Sequence, residues 1–420
     1  MPSANWQAKT ALDALPMQWT ASPDAKRHSE NSKREFVRGL AHACMEPMNC
    51  TASVTESGVA VWAGVQNPET ALSAAARAAG VDASKVRMHN CFLGGGFGRR
   101  SHTDYITDAV QIAREVNAPV QVIRSREEDM RRGRYRPMAA VRFKVGFDLD
   151  KNVTAFTNHS VTHSILEDAN PEAVRGGVDP SSVEGLANPP YDFPNLAISH
   201  TMKRTHLTTW WWRSAGSSQN AYALECFTDE LAVAAKRDPF DLRRAHLGAR
   251  PDMREVLDIL RERSEWDSRL KTGSAPGMAL HESFGTLCGT VAEVTISGAG
   301  DLSVDRIVSV VDCGNLVNPQ TARMQVESGI VYGLSAALHG KMTVENGQVL
   351  EDNFDTYEVL RLAGIPEMEA HFVESAGGKW GGLGEPSLQP VAPAVCNAVF
   401  SITGRRIRAL PIGDYLLTPA

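Results

Sequence analysis

The sequence of 420 residues contains no Cys-x-x-Cys pair, no His-Glu-x-x-His and no run of about 18 apolar residues. Its seven cysteines (Cys44, Cys50, Cys91, Cys226, Cys288, Cys313 and Cys396) are scattered and odd in number. That spacing disfavours a disulfide framework, a structural zinc site and an iron–sulfur centre, and leaves buried thiols in a reducing compartment as the expectation. Without a long apolar run, no transmembrane helix is expected. The start, MPSANWQAKTALDAL, lacks a basic stretch followed by an apolar core and does not read as a secretory signal. Net charge is -6, so there is no basic excess to recruit nucleic acid or an anionic membrane.

What is present is ordinary for a globular chain: 43% hydrophobic and 22% charged residues, at a length that suggests two or three domains. Residues 1–20 read as a short helix and an apolar strand-like piece, and 21–35 as a polar linker. Ala60–Ala63, Val86–Phe92 and Pro119–Ile123 read as strands, and Thr70–Ala79 as a helix capped by Gly80. From Asp104, the residues Ile106, Ala109, Val110, Ala113 and Val116 recur at helical spacing. Val141 to Leu149 alternates like a half-buried strand, while the Pro-, Gly-, Asn- and Asp-rich stretch 165–195 reads as a long surface excursion. Helices are expected at 220–236, 254–263, 319–338 and 389–402, and strands at 278–296 and 306–312. Strands and helices mix throughout, so the fold class is α+β, mixed α/β.

Four segments carry candidate chemistry. Gly94-Gly95-Gly96-Phe97-Gly98 joins a strand to a helix, where bare backbone lets a phosphate-bearing ligand approach; the alternative is a tight turn. Dinucleotide spacing fails there, because Arg99 and Ser101 stand where glycine is needed, and no Gly-Lys-Ser/Thr follows. In Gly381-Gly382-Leu383-Gly384-Glu385-Pro386, one carboxylate sits amid glycines before a stiffening proline, a placement suited to a general base or to an exposed acidic turn. Trp210-Trp211-Trp212-Arg213-Ser214 reads as a core plug or as a pocket wall in which Arg213 meets an anion. Val311-Asp312-Cys313-Gly314-Asn315 and Gln325-Val326-Glu327-Ser328 flank Asn318-Pro319, where Asn318 is a ligand group or simply a helix cap. His102, His159, His163 and His281 do not cluster; His159 and His163 are spaced to share a strand face, but a structural role is the better reading for each.

Taken in order, VWAGVQNPE (61–69), GGGFGRR (94–100), SREEDM (125–130), WWRSAGSSQNA (211–221), HESFG (281–285), VDCGNLVNP (311–319) and GLGEP (382–386) resemble the molybdopterin-binding large subunit of the molybdenum hydroxylases. The likeness is to the xanthine dehydrogenase/aldehyde oxidase family, and within it to the isoquinoline 1-oxidoreductase and aldehyde oxidoreductase beta-subunit branch. The resemblance implies two related cofactor-binding lobes, 51–212 and 213–420, preceded by a hammerhead-like remnant and linker at 1–50. It implies oxidation of an N-heteroaromatic ring or an aldehyde, with water as oxygen source and Glu385 as general base. Gln66, Gly95, Gly96, Phe97, Gly98, Trp212, Arg213, Ser214 and Gly384 match cofactor-facing positions. Molybdenum would be held by the pterin dithiolene, with no protein metal ligand, and the pterin is expected in its cytosine dinucleotide form. Electrons would leave through [2Fe-2S] clusters on a small partner subunit. The family's longer N-terminal region, with its Gly-Gln-Gly loop, is expected on a separate chain; otherwise the protein is a truncated, catalytically silent scaffold. Location is expected to be cytoplasmic or periplasmic.

Overall fold

The computed structural model describes residues 39–268, 270–373 and 378–418. The helix and strand expected within 1–20, the linker at 21–35 and most of the hammerhead-like remnant lie outside the described residues.

Four strands, β1 (Asn49–Thr55), β2 (Gly58–Ala63), β3 (Val86–Asn90) and β4 (Val120–Ile123), form a sheet in the order β3-β2-β1-β4. Only the β2–β3 pair is parallel, and its crossover is helix α1 (Pro68–Ala79). Asn67 caps α1 by accepting from the Thr70 N–H at 3.1 Å, and Gly80 ends it at φ +73°. Helix α2 (Asp104–Val116) buries Ile106, Ala109, Val110 and Ala113 as their spacing requires, whereas Val116, its last residue before the left-handed cap Asn117, is exposed. The alanines of both helices let them lie close on the sheet, in one core with Cys50, Ala52, Val59 and Val61. The strand expected to reach Phe92 stops at Asn90, and Phe92 is fully exposed.

A second sheet is built from β5 (Ala139–Phe147), β6 (Val153–Thr162) and β7 (Leu196–Met202). Between β6 and β7 the structure corrects the sequence reading. Residues 165–195 are not a surface excursion: Ile165, Asp179, Leu186, Tyr191 and Phe193 are buried. Asp179 supports this irregular segment by accepting from Ser164, Ile165, Leu166 and Ser181, which satisfies backbone groups that a buried loop would otherwise orphan. His163 lies past the end of β6 and is buried against Thr205, while His159 is exposed beside Ser199, so the two rings do not share a site.

The third sheet has the order β11-β10-β9-β8, with β8 (Ser274–Ser283), β9 (Thr286–Ile296), β10 (Leu302–Asp312) and β11 (Glu367–Phe372). The apolar run expected as one strand over 278–296 is a hairpin turning at Phe284-Gly285, with both residues at positive φ. Helices α3 (Ser217–Ala235), α4 (Pro239–Ala245), α5 (Pro251–Arg263), α6 (Pro319–Leu338) and α7 (Val391–Thr403) pack around this sheet. It is covered on both faces, by α5 on one side and α7 on the other, which is why β9 is buried almost throughout. Strand β8 touches α7 backbone to backbone: a Cβ on Gly277 would stand 2.2 Å from the Ala394 carbonyl. Asn318 caps α6 by accepting from the Thr321 N–H, so the capping alternative is the observed one for this residue. Six of the seven cysteines are buried thiols and Cys91 is exposed. The architecture is mixed α/β. Among the described residues, no helix is long and apolar enough to cross a membrane.

Candidate functional site

The glycine loop after β3 is fixed by its own arginines. Arg100 is fully buried and donates to the Gly95 carbonyl at 2.8 Å and to the Glu46 carboxylate at 2.8 Å. Arg99 forks onto Asp104 with two contacts of 2.9 Å. Neither guanidinium faces a ligand; both hold the loop. Gln66 closes it from the other side, its Oε1 accepting from the Gly98 N–H at 3.1 Å and the Arg100 N–H at 3.2 Å. The loop then runs against Trp211: Gly98 is at φ +98°, and a Cβ there would sit 1.9 Å from the Trp211 carbonyl oxygen, so only glycine fits.

The opposing wall is built around Glu385. Gly381 and Gly382 run along the tip of the β8–β9 hairpin, held by Gly382 N–H to Phe284 O (2.9 Å) and Thr286 Oγ1 to Gly382 O (2.7 Å). After Pro386, Ser387 donates to the Val326 carbonyl of α6, against Gly329. The segment carrying the carboxylate is thus tied at both ends. Arg213, only 5% exposed, spans the two walls. Its Nε donates to the Gly384 carbonyl at 2.7 Å and its Nη1 to Ser328 Oγ at 3.0 Å, while the guanidinium lies 5.9 Å from the Phe97 ring centroid and 5.7 Å from that of Tyr332. Phe97, Tyr332 and Trp212 form a continuous stack behind it, with centroids 4.4 and 4.8 Å apart.

Between the walls lies a cavity of about 600 Å³. Gln66, Gly96, Phe97, Gly98, Arg213, Gly384 and Glu385 line it, as their motifs lead one to expect. Three other expected residues do not. Gly95 lies behind the loop, where its carbonyl is taken by Arg100. Trp212 faces the core, its indole N–H donating to the Ala41 carbonyl at 3.0 Å. Ser214 stands behind Glu385: its N–H donates to Glu385 Oε1 at 3.2 Å and its hydroxyl to the Glu385 carbonyl at 2.9 Å. Leu93, Phe284, Gln325 and Ser328 also line the cavity. Leu93, Gln325 and Ser328 were not singled out individually, although the last two sit in a segment whose pattern was recognised.

Burial raises the Glu385 carboxyl above its ordinary value, against the opposing effects of the Ser214 N–H and the Arg213 charge. The site therefore offers one carboxylate poised to take a proton, amide and hydroxyl groups from Gln66, Gln325 and Ser328, and walls of bare backbone. No group of three His, Cys, Asp or Glu side chains that could hold a metal ion occurs among the described residues. A cofactor that brings its own metal ligands fits this donor set, and a Cβ at Gly96 would fill the cradle, 2.5 Å from Gln66 Oε1.

The molybdopterin cofactor-binding domain family matches the chain twice, over residues 25–247 and 244–366. Isoquinoline 1-oxidoreductase subunit beta of Brevundimonas diminuta is 31% identical over 401 residues, covering 93% of this chain and 51% of that protein. The membrane-bound aldehyde dehydrogenase [pyrroloquinoline-quinone] of Gluconacetobacter polyoxogenes is 29% identical over 416 residues, covering 92% and 53%. The chain thus spans about half the length of these curated relatives. In fold, it is similar to quinoline 2-oxidoreductase from Pseudomonas putida 86, with a TM-score of 0.77 at 13% identity, over 90% of this chain and 74% of that one. The aldehyde oxidoreductase from Desulfovibrio gigas gives a TM-score of 0.75 at 15% identity, over 90% and 59%. A glycine loop from the first matched domain thus faces a glutamate that follows the second, and the chain belongs to the molybdenum hydroxylase family, as a carrier of its molybdopterin cofactor-binding domains.

Proposed function

We propose that this chain supplies the catalytic wall of a molybdenum hydroxylase that oxidises an aldehyde or the ring carbon of an N-heteroaromatic compound, with water as oxygen source. The observation that carries this reading is the Glu385 carboxyl, fixed by Ser214 and Arg213 in a cavity lined besides by glycine backbone, the neutral side chains of Gln66, Gln325 and Ser328, and the apolar Leu93, Phe97 and Phe284. Gln66, the Gly96–Gly98 backbone, Gln325 and Ser328 would hold the molybdopterin, and the division between the two lobes falls between Trp212 and Arg213. When bound, the cofactor supplies the redox centre that takes two electrons from the substrate. Glu385 accepts the proton released as water becomes the product oxygen. Arg213 fixes the backbone that presents this base, and Phe97 and Phe284 supply apolar surface beside it. The cytosine dinucleotide form of the cofactor, a small [2Fe-2S] subunit as electron exit, and a separate chain bearing the Gly-Gln-Gly region belong to the same proposal.

The test is Glu385→Gln in the chain co-expressed with its partner subunits. Turnover of an aldehyde or N-heterocycle should fall by about 10²-fold or more, while molybdenum content stays at the wild-type level. Unchanged turnover removes Glu385 from the mechanism. A second reading, a catalytically silent scaffold, draws on the exposed rim of the cavity, where Phe284 is 49% and Leu93 38% exposed. A wild-type assembly with molybdenum far below one per chain and no turnover would favour it.

A further inference from the structure

A second cavity, of about 730 Å³, lies behind the glycine loop. It shares no lining residue with the Glu385 cavity, but one wall separates the two: Gln66, Gly98 and Arg213 line the first, and Asn67, Ser101 and Trp211 line the second. Helices α1 and α2 both begin at its edge, through Asn67 and Thr103, so the positive ends of two helix dipoles border the space. Another side is aromatic. Trp210 and Trp211 meet with centroids 4.7 Å apart at 67°, and His102 stands edge-on to Trp210 at 4.5 Å. The Trp210 indole N–H is taken up by Ser101 Oγ at 2.8 Å, which donates in turn to the Gly98 carbonyl at 2.7 Å.

Two polar groups that line this cavity lack partners. Thr209 is 6% exposed, and its buried hydroxyl makes no hydrogen bond; the buried Nε of Arg134 makes none either. The backbone sets their two stretches side by side: the Tyr135 N–H donates to the Thr208 carbonyl at 3.1 Å and the Trp210 N–H to the Tyr135 carbonyl at 3.0 Å. The Arg134 guanidinium lies 5.8 Å from the Trp210 ring centroid, and no carboxylate among the described residues forms an ion pair with it. Burial lowers it from its ordinary value, and the Asp104 and Asp168 charges act against this. Both acids have cations of their own: Asp104 pairs with Arg99 and Arg124, and Asp168 with Arg204 at 2.5 Å. Burial also lowers His102 and keeps that ring neutral at pH 7. The cavity thus holds one desolvated cation without a counter-charge, one unused hydroxyl and two indole rings. An anion seated there would restore what burial took from the guanidinium.

We infer that this cavity is a second binding site, for a planar aromatic carboxylate. Its carboxylate takes hydrogen bonds from Arg134 and Thr209, and its ring lies against Trp210 and Trp211. A single guanidinium suits a single negative charge, and Asp168 among the lining residues disfavours a dianion such as phosphate. The site is independent of the reaction proposed for Glu385. Its ligand would rest on Ser101, which holds the Gly98 carbonyl, one layer of chain away from the catalytic cavity.

Isothermal titration calorimetry of the full chain with benzoate, at neutral pH and without cofactor, tests this. Benzoate should bind saturably, one molecule per chain. Benzamide lacks the charge and acetate lacks the ring, and each should bind at least about 10-fold more weakly. In Arg134→Gln the benzoate affinity should fall by about 10- to 100-fold, the worth of hydrogen bonds to a charged group. Thr209→Val keeps the shape and removes only the unsatisfied hydroxyl; it should cost about 3- to 10-fold in affinity and leave the melting temperature no lower. Glu385→Gln should leave the benzoate affinity unchanged. No saturable binding of benzoate overturns the inference, as does an unchanged affinity in either cavity variant that keeps the wild-type circular dichroism; should Arg134→Gln fail to fold, Thr209→Val decides. Benzamide or acetate binding as tightly as benzoate overturns the ligand class. A loss in Glu385→Gln as large as that in Arg134→Gln would put the ligand in the other cavity and overturn the site.

Discussion

Arg213 acts on Glu385 in two ways, through the hydrogen bond to the Gly384 carbonyl and through its charge, which holds the carboxyl down against burial. In Arg213→Met the second effect is lost and the Glu385 pKa rises further. Because the proposed base would act when ionised, the acid limb of kcat/KM should move to higher pH, and the neutral-pH value should drop about 10- to 100-fold as the loop loses its tie. A pH profile of the loaded assembly checks this, and an unmoved limb would leave Arg213 a purely structural role. At this scale the sequence was legible where one residue type had one use. Gly98 occupies a position that only glycine can fill, whereas the carboxylate among glycines was open between a general base and an exposed acidic turn, and the structure puts it half-buried in the cavity wall. Gln325 and Ser328 were hidden because the face a helix turns to a cavity depends on how α6 is rolled against the other lobe, which no local pattern records. The segment 165–195 was hidden by composition: its proline, glycine and asparagine read as surface, whereas it is buried through Asp179 and Asn220.

Among the elements, α3 and α4 share a buried ion pair. Glu225 and Arg243 have no exposed side-chain surface; Arg243 Nε donates to Glu225 Oε2 at 3.0 Å, and the Tyr191 hydroxyl donates to Oε1 at 2.6 Å. The Leu280 N–H completes the set at 2.9 Å, tying α3 to β8. Arg243→Met leaves Glu225 charged, buried and without its cation, so unfolding free energy in denaturant should fall by about 3–5 kcal/mol. A loss below about 1 kcal/mol would mean that water reaches the carboxylate. The elements themselves were legible where caps mark their ends: Asn318-Pro319 opens α6 and Gly404 closes α7 at φ +66°. The hairpin in 278–296 was not, because β8 and β9 are both covered by helices and carry no alternating pattern to betray the turn.

For the molecule as a whole, pH dependence of stability follows from buried rings. Burial lowers His42 and His281 each to about 4, from an ordinary value of 6.5. A depressed histidine contributes stability that is present above pH 6.5 and lost as pH falls through 4, up to about 3 kcal/mol each. Glu184 works with the opposite sign, losing stability as pH rises from 4.5 to about 7, and the raised Glu385 and Asp129 side with it, while burial lowers His102, His163, His200 and His246 in the same direction as the two rings. The melting temperature of the full chain should therefore drop between pH 6.5 and 4, and His281→Gln should flatten the drop. A level curve across that range would mean that the two rings are solvated. The cavity has a consequence of the same kind. One wall comes from residues 66–98 and the other from 325–385, so any molecule seated between them works as a removable cross-link on the folded chain. Cells unable to insert it would then keep less of this polypeptide folded.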